Sequence, residues 1–136
     1  MFMQAFEKQS YALLRIVIGF LFLWHGSQKL FGFPPSGGVP PFHVIAIAGP
    51  IEFIGGILIL LGLWTHWVAF IAAGEMAYAY WTVHAPNALL PITNRGELAV
   101  VYCFVFLLFS ARGAGIWSLD QLRMKQYPPE HPGSTT

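Results

Sequence analysis

The sequence predicts an all-α fold, a bundle of four transmembrane helices followed by a short interfacial helix near the C-terminus. Three observations predict it. Of 136 residues, 56% are hydrophobic and 10% charged, more apolar surface than a water-soluble domain of this size hides. The apolar residues gather into four long runs, each near the ~20 residues that a hydrocarbon core demands of a helix. Segments rich in Pro and Gly, which cannot continue a helix, separate the runs. Backbone amides inside lipid must be satisfied internally, and long unbroken runs achieve this as helices rather than as a closed barrel.

The first run extends from about Gln9 to Leu30. No small-residue cleavage site follows its apolar stretch, so it is expected to be a retained span and not a signal peptide. The segment GFPPSGGVPPF comes next, with four prolines and three glycines, and predicts an ordered loop or lid. The second run is placed at about Phe42 to Leu63, with a kink expected at Pro50. Only Gly62 to Thr65 separate it from the third, about His66 to Trp81, so these two helices should form a tight antiparallel hairpin. HAPNALLPITN makes a longer return to the fourth, about Gly96 to Ala111. Beyond it, RGAGIWSLDQL reads as a Gly-broken stop followed by the short interfacial helix, with Ser118 and Gln121 at the spacing of a capping box. One transmembrane domain, residues 1–125, and a disordered tail, residues 126–136, are therefore expected.

Four spans put both termini on one face. That face collects Lys8, Arg112, Arg123 and Lys125, whereas the opposite loops hold Lys29 and Arg95. The positive-inside rule then makes both termini cytoplasmic, in the inner (cytoplasmic) membrane of a bacterial-type cell. Trp64, Trp67 and Trp117 would mark one interface, and Trp24 and Trp81 the other. The net charge of +1 argues against a nucleic-acid partner and leaves the lipid membrane as the first one. Cys103 is the only cysteine, which excludes an intramolecular disulfide or a CxxC pair. Mid-span, among Val101, Phe104 and Leu107, it reads as an inert core thiol.

Ionisable residues inside the spans carry the functional signal, because a charge in hydrocarbon costs at least ~2.5 kcal/mol and persists where it faces a partner or a wet cavity. On the first helix Arg15, Gly19, Phe22, His25, Gly26 and Lys29 recur at three- and four-residue spacing and share one face. Glu52 shares a face with Gly49, Gly55 and Gly56, and Glu75 with Ala72, Tyr78 and Ala79. At a ~1.5 Å rise per residue both glutamates lie about 14 to 16 Å from the cytoplasmic helix ends, and Arg15 about 9 Å in. An ion pair of Arg15 with Glu52, Glu75 or both is expected. Glu97 opens the fourth helix, where its charge suits the N-terminal dipole. The candidate ligand-binding residues are Arg15, His25, Lys29, Glu52, Glu75 and Glu97. The same groups also read as a structural ion-pair network, with Glu97 capping its helix and His25 and Lys29 snorkelling to the interface. No catalytic residue is identified and no metal-ligand spacing is present. His25 and His84, on different helices, lack a haem signature.

LLRIVIGFLFLWHGSQKLFGF, AGPIEFIGGILILLGLWT, NRGELAVVY and GAGIWSLD, taken in order from about Ala12 to Leu119, resemble the DoxX family of small bacterial and archaeal membrane proteins. The ordered set Arg15, Gly26, Lys29, Glu52, Gly55, Gly56, Asn94, Gly96, Glu97 and Ser118 to Asp120 carries the resemblance; the third helix, with Glu75, matches it least. The resemblance implies a four-helix membrane bundle. It also implies an association with redox systems, since relatives include a subunit linked to an archaeal terminal quinol oxidase and the membrane part of thiosulfate:quinone oxidoreductase.

The leading expectation is a redox-associated subunit with no intrinsic cofactor that binds a quinone between its helices, with Arg15, Glu52 and Glu75 as polar contacts or proton carriers and with Phe22, Tyr78 and Trp81 as apolar walls. Its electrons would come from other membrane or redox subunits. The alternative is a non-catalytic accessory or assembly subunit of a larger respiratory or photosynthetic complex. A small transporter is a third class, disfavoured by the absence of an inverted repeat. Homo-oligomerisation fits any of the three.

Overall fold

The computed structural model describes residues 2–126, whose regular structure is all helical, with no strand among them. The disordered tail expected for residues 126–136 lies outside the described residues from position 127 on. A 3-10 turn, Phe2–Phe6, leads into α1, Glu7–Phe31. No proline interrupts α1, and it stops at Gly32, whose φ of 66° needs the left-handed region and whose N–H returns to the carbonyl of Gln28. The proline-rich loop follows, tied back by the Ser27 hydroxyl, which donates to the Phe33 carbonyl at 2.6 Å.

A π-helical turn, Val44–Ala48, opens directly into α2, Gly49–Leu61. The Gly49 N–H reaches back five residues to the Val44 carbonyl. This widened turn is the form taken by the distortion expected at Pro50, which has no N–H to donate and whose ring crowds the carbonyl four residues earlier. At the other end Gly62, with φ of 67°, closes a Schellman motif: its N–H bonds to Ile59 at 3.1 Å and that of Leu63 to Leu58 at 2.9 Å.

The expected hairpin is present, and α3, Thr65–Ala79, returns against α2. It continues as a second π turn, Tyr80–His84. The long return contains a single short helix, α4, Pro91–Asn94. α5, Glu97–Arg112, runs back beside α3, and α6, Leu119–Gln126, occupies the place of the expected C-terminal helix. There the Ser118 hydroxyl accepts the Gln121 N–H at 3.2 Å, as the capping spacing predicts.

Two packed pairs, α1 with α2 and α3 with α5, make up the body, and α2 and α3 join them. The first pair approaches closely because it meets at glycines. A Cβ on Gly19 would lie 2.5 Å from the Leu60 nitrogen, and one on Gly56 2.5 Å from the Leu23 nitrogen, while Gly26 abuts the Phe53 backbone. The second pair fits small against large. Ala69, Ala72, Ala73 and Met76 of α3 face Tyr102, Phe106 and Phe109 of α5, with Phe22 of α1 against Phe106 at 4.6 Å between ring centroids.

The outer surface is apolar as well: Val17, Phe20, Phe70, Ile71 and Phe104 are all exposed, an arrangement that suits a lipid surround and not water. Two helical stretches, Phe2–Phe31 and Val44–Leu61, are long and apolar enough to cross a membrane. The other two runs do not meet that length and composition, so the four spans expected are not all borne out by it. α5, at ~1.5 Å per residue, is about 24 Å long against a core of ~30 Å. The third helix is diluted by Glu75, Thr82 and His84.

Candidate functional site

Helical side chains lean toward the N-terminus of their helix, and this decides where the arginine of α1 goes. Arg15 is fully buried and points to the end of the molecule where α2 finishes. Its Nε donates to the Ala114 carbonyl at 2.8 Å. Its two terminal nitrogens donate to Ile59 at 2.7 Å, Leu60 at 2.6 Å, Ile116 at 3.4 Å and Trp117 at 2.8 Å. All five guanidinium N–H groups are thereby used. The expected ion pair of Arg15 with Glu52 or Glu75 is therefore not formed: the guanidinium serves the C-terminal carbonyls and negative dipole end of α2 instead.

Other residues of the C-terminal motif complete the same junction. The Asp120 carboxylate accepts the Trp64 and Thr65 N–H groups at 2.9 and 3.0 Å, capping α3. Tyr11 donates to the Gly113 carbonyl at 2.6 Å. Gly62 lacks a Cβ because one there would strike Ser118 and Arg15. The residues of GAGIWSLD thus lock the helix ends together.

The remaining polar residues meet at the opposite end. Lys29 of α1 forms an ion pair with Glu52 of α2, whose side chain is 3% exposed against 21% for the lysine. Glu75 of α3 lies within electrostatic reach of both. One of its oxygens, Oε2, is shut off from solvent and has no hydrogen-bond partner among the described residues. Tyr102 of α5 lies close enough to Glu52 to feel its charge. His25 stands edge-on to the Tyr102 ring at 5.9 Å between centroids. Each of the four main helices thus contributes a polar group to one zone, although a glutamate and a lysine alone would neutralise each other.

Of the six sequence candidates, the structure brings His25, Lys29, Glu52 and Glu75 together and leaves Arg15 and Glu97 elsewhere. Glu97 is exposed at the first position of α5. Its neighbour Asn94 is buried and shapes the return, accepting the Gly96 N–H at 2.7 Å and donating to the Ala88 carbonyl at 2.7 Å. Tyr102 was not among the candidates. The signal for it was its place with Phe106 and Phe109 on the inward face of α5, where it adds a hydroxyl to a row of rings.

A cavity of about 360 Å³ lies beneath the proline-rich loop, lined by Gln28, Lys29, Pro35, Val39, Pro40 and Ile45 among others. Lys29 therefore faces this cavity and also reaches the buried Glu52. A larger space, about 830 Å³, opens at the Arg15 end.

Comparison with known proteins adds to this geometry. The model of the DoxX family matches residues 10–85. A Haemophilus influenzae protein with no assigned function is 43% identical over 122 residues, covering 85% of this chain and 91% of that protein. CatD of Bacillus subtilis, whose name assigns it provisionally as an oxidoreductase, is 39% identical over 119 residues, 83% of this chain and 86% of its own. An uncharacterized membrane protein of Mycobacterium tuberculosis is 29% identical over 134 residues, 83% and 80% of the respective chains. No solved structure matches the chain at a significant level.

Proposed function

The chain belongs to the DoxX family of membrane proteins, and from that premise we propose that it is a redox-associated subunit that binds a quinone head group at the Lys29, Glu52 and Glu75 cluster. In this reading all four main helices span the inner membrane, with both termini in the cytoplasm, and the cluster lies toward the outer leaflet. The observation that carries the reading is the buried Glu75 Oε2, left without a partner beside an ion pair that already balances itself. An unpaired buried oxygen costs on the order of 1–3 kcal/mol, a cost that a protonated Glu75 donating to a quinone carbonyl would offset.

A quinone fits the chemistry of the residues. Its carbonyl oxygens accept hydrogen bonds, and Lys29, which lines the cavity, is a donor. The 360 Å³ cavity is near the lower bound of small-molecule sites, roughly 300 Å³, enough for a ring but not for an isoprenoid tail. The tail would remain in lipid between α1 and the loop. In this reading a ring held by Lys29 at the cavity would extend past it toward Glu75, which does not itself line the cavity, to exchange a proton, and the electrons would come from a partner subunit. The oxidoreductase name of the Bacillus relative supports the redox setting.

The test is equilibrium binding of decylubiquinone to the full chain in mild detergent. The parent should bind saturably, and Lys29→Met should weaken binding by roughly tenfold, the loss of one hydrogen bond from a charged donor. Absence of saturable binding by the parent would defeat the proposal and leave the accessory-subunit reading in its place.

A further inference from the structure

The cavity of about 830 Å³ opens at the Arg15 end, between the start of α1, the turn joining α2 to α3, and α6. Its rim is basic, with Lys8, Arg112 and Arg123. The acidic groups near it are already engaged: both Asp120 oxygens accept the N–H groups of Trp64 and Thr65, and Glu7 pairs with Arg112 at 3.0 Å. Among the described residues Lys8 and Arg123 have no acidic partner. Arg123 instead lies over the Trp64 indole, 5.7 Å from the ring centroid.

The walls of the same groove are apolar. Trp64, Trp67, Ile116 and Met124 line it, and Trp67 is 75% exposed. A cationic rim above exposed indoles matches a molecule that is anionic at one end and hydrocarbon at the other.

We propose that this groove binds one anionic phospholipid, its phosphate held between Lys8 and Arg123 and its acyl chains laid along Trp64 and Trp67. Charge complementarity selects the anionic headgroup, and the indole walls select a lipid over a soluble anion, which meets the rim alone. The charge rule places this end at the cytoplasmic leaflet, where anionic lipids give the membrane its negative surface potential. The proposal is independent of the ligand at the opposite end, so either stands without the other.

The full chain, stripped of lipid in mild detergent, is titrated separately with dioleoylphosphatidylglycerol, dioleoylphosphatidylcholine and inorganic phosphate. Native mass spectrometry counts retained lipid, and thermal unfolding reads stabilisation. One phosphatidylglycerol should be retained with a rise in melting temperature, phosphatidylcholine should be held roughly tenfold more weakly, and phosphate alone should produce no rise. Lys8→Gln and Arg123→Gln should each weaken phosphatidylglycerol binding roughly fivefold, whereas Lys125→Gln, which removes the same charge outside the groove, should change it less than about twofold. Equal retention of the two lipids, an equal rise with phosphate, an equal effect of Lys125→Gln, or unchanged binding by both groove variants would each overturn the proposal. Lys8 makes no hydrogen bond or ion pair among the described residues, so Lys8→Gln decides the matter even if Arg123→Gln fails to fold.

Discussion

Arg15 makes five hydrogen bonds to carbonyls from two segments, the end of α2 and the 114–117 stretch, that are distant from it in sequence. Replacing it removes those bonds, at ~1–3 kcal/mol for each oxygen left buried and unsatisfied. Arg15→Ala should therefore lower stability by at least ~3 kcal/mol. Arg112→Ala, which removes an exposed pair with Glu7, should cost under about 1 kcal/mol. Arg15→Lys should rescue little, because an ammonium offers three donors where five are used. Thermal unfolding of the three variants in one detergent checks this, and equal melting temperatures would place Arg15 outside the core. The sequence marked Arg15 as buried and important but not as a helix-end clamp. Depth counting put it within reach of the glutamates, whereas the lean of its side chain toward the α1 N-terminus carries it the other way. Glu52 and Lys29 were legible as polar groups at depth; their pairing depended on the relative rotation of α1 and α2, which spacing along one helix does not encode. A paired test separates the two carboxylates. Glu75→Gln keeps the shape of a side chain with no partner and should leave stability within about 1 kcal/mol, whereas Glu52→Gln leaves the Lys29 ammonium uncompensated and should cost ~3 kcal/mol or more. Equal losses would mean that Glu75 has a structural partner.

The α1 and α2 elements meet through glycine because no other residue allows the approach. Gly26→Ala and Gly56→Ala each put a methyl group into the opposing backbone and should destabilise by ~1–3 kcal/mol, the usual range for overpacking. Gly74→Ala is the internal control. Nothing lies within 4 Å of the Cβ it would add, and alanine favours a helix over glycine by about 1 kcal/mol, so this change should be neutral or stabilising. Chemical crosslinking of α1 to α2 together with melting temperatures would check both, and a stable Gly56→Ala would contradict the close contact. The glycines on the Glu52 face were visible in the sequence as a small-residue surface, and the loop, hairpin and return were legible from Pro and Gly. The two π turns were not, because a widened turn uses the same residues as an ordinary one. At the junction, Asp120→Ala uncaps α3 and should cost ~1–2 kcal/mol.

At the scale of the whole molecule the fold is a pair of helix pairs wrapped in apolar side chains, with a structural lock at one end and a polar cluster at the other. The all-helical class and the order of the elements followed from hydrophobic runs and their punctuation. Four full-length spans did not follow, since α5 is shorter than a full crossing and the third helix is more polar than the first two. If all four nevertheless span, reporter fusions at the N-terminus and after Lys125 should both report cytoplasm, and one inserted at Ser36 should report the opposite side. Opposite locations for the two ends would require an odd number of crossings.

The central claim is that the quinone sits at the Lys29 end and not in the larger groove at the Arg15 end. A photoreactive quinone analogue, crosslinked to the full chain and mapped by peptide mass spectrometry, tests it most directly. Labelling should fall between His25 and Ile45, be competed by decylubiquinone, and drop in Lys29→Met. Labelling concentrated on Trp64, Trp67 or Met124, or labelling that excess decylubiquinone fails to reduce, would contradict the assignment.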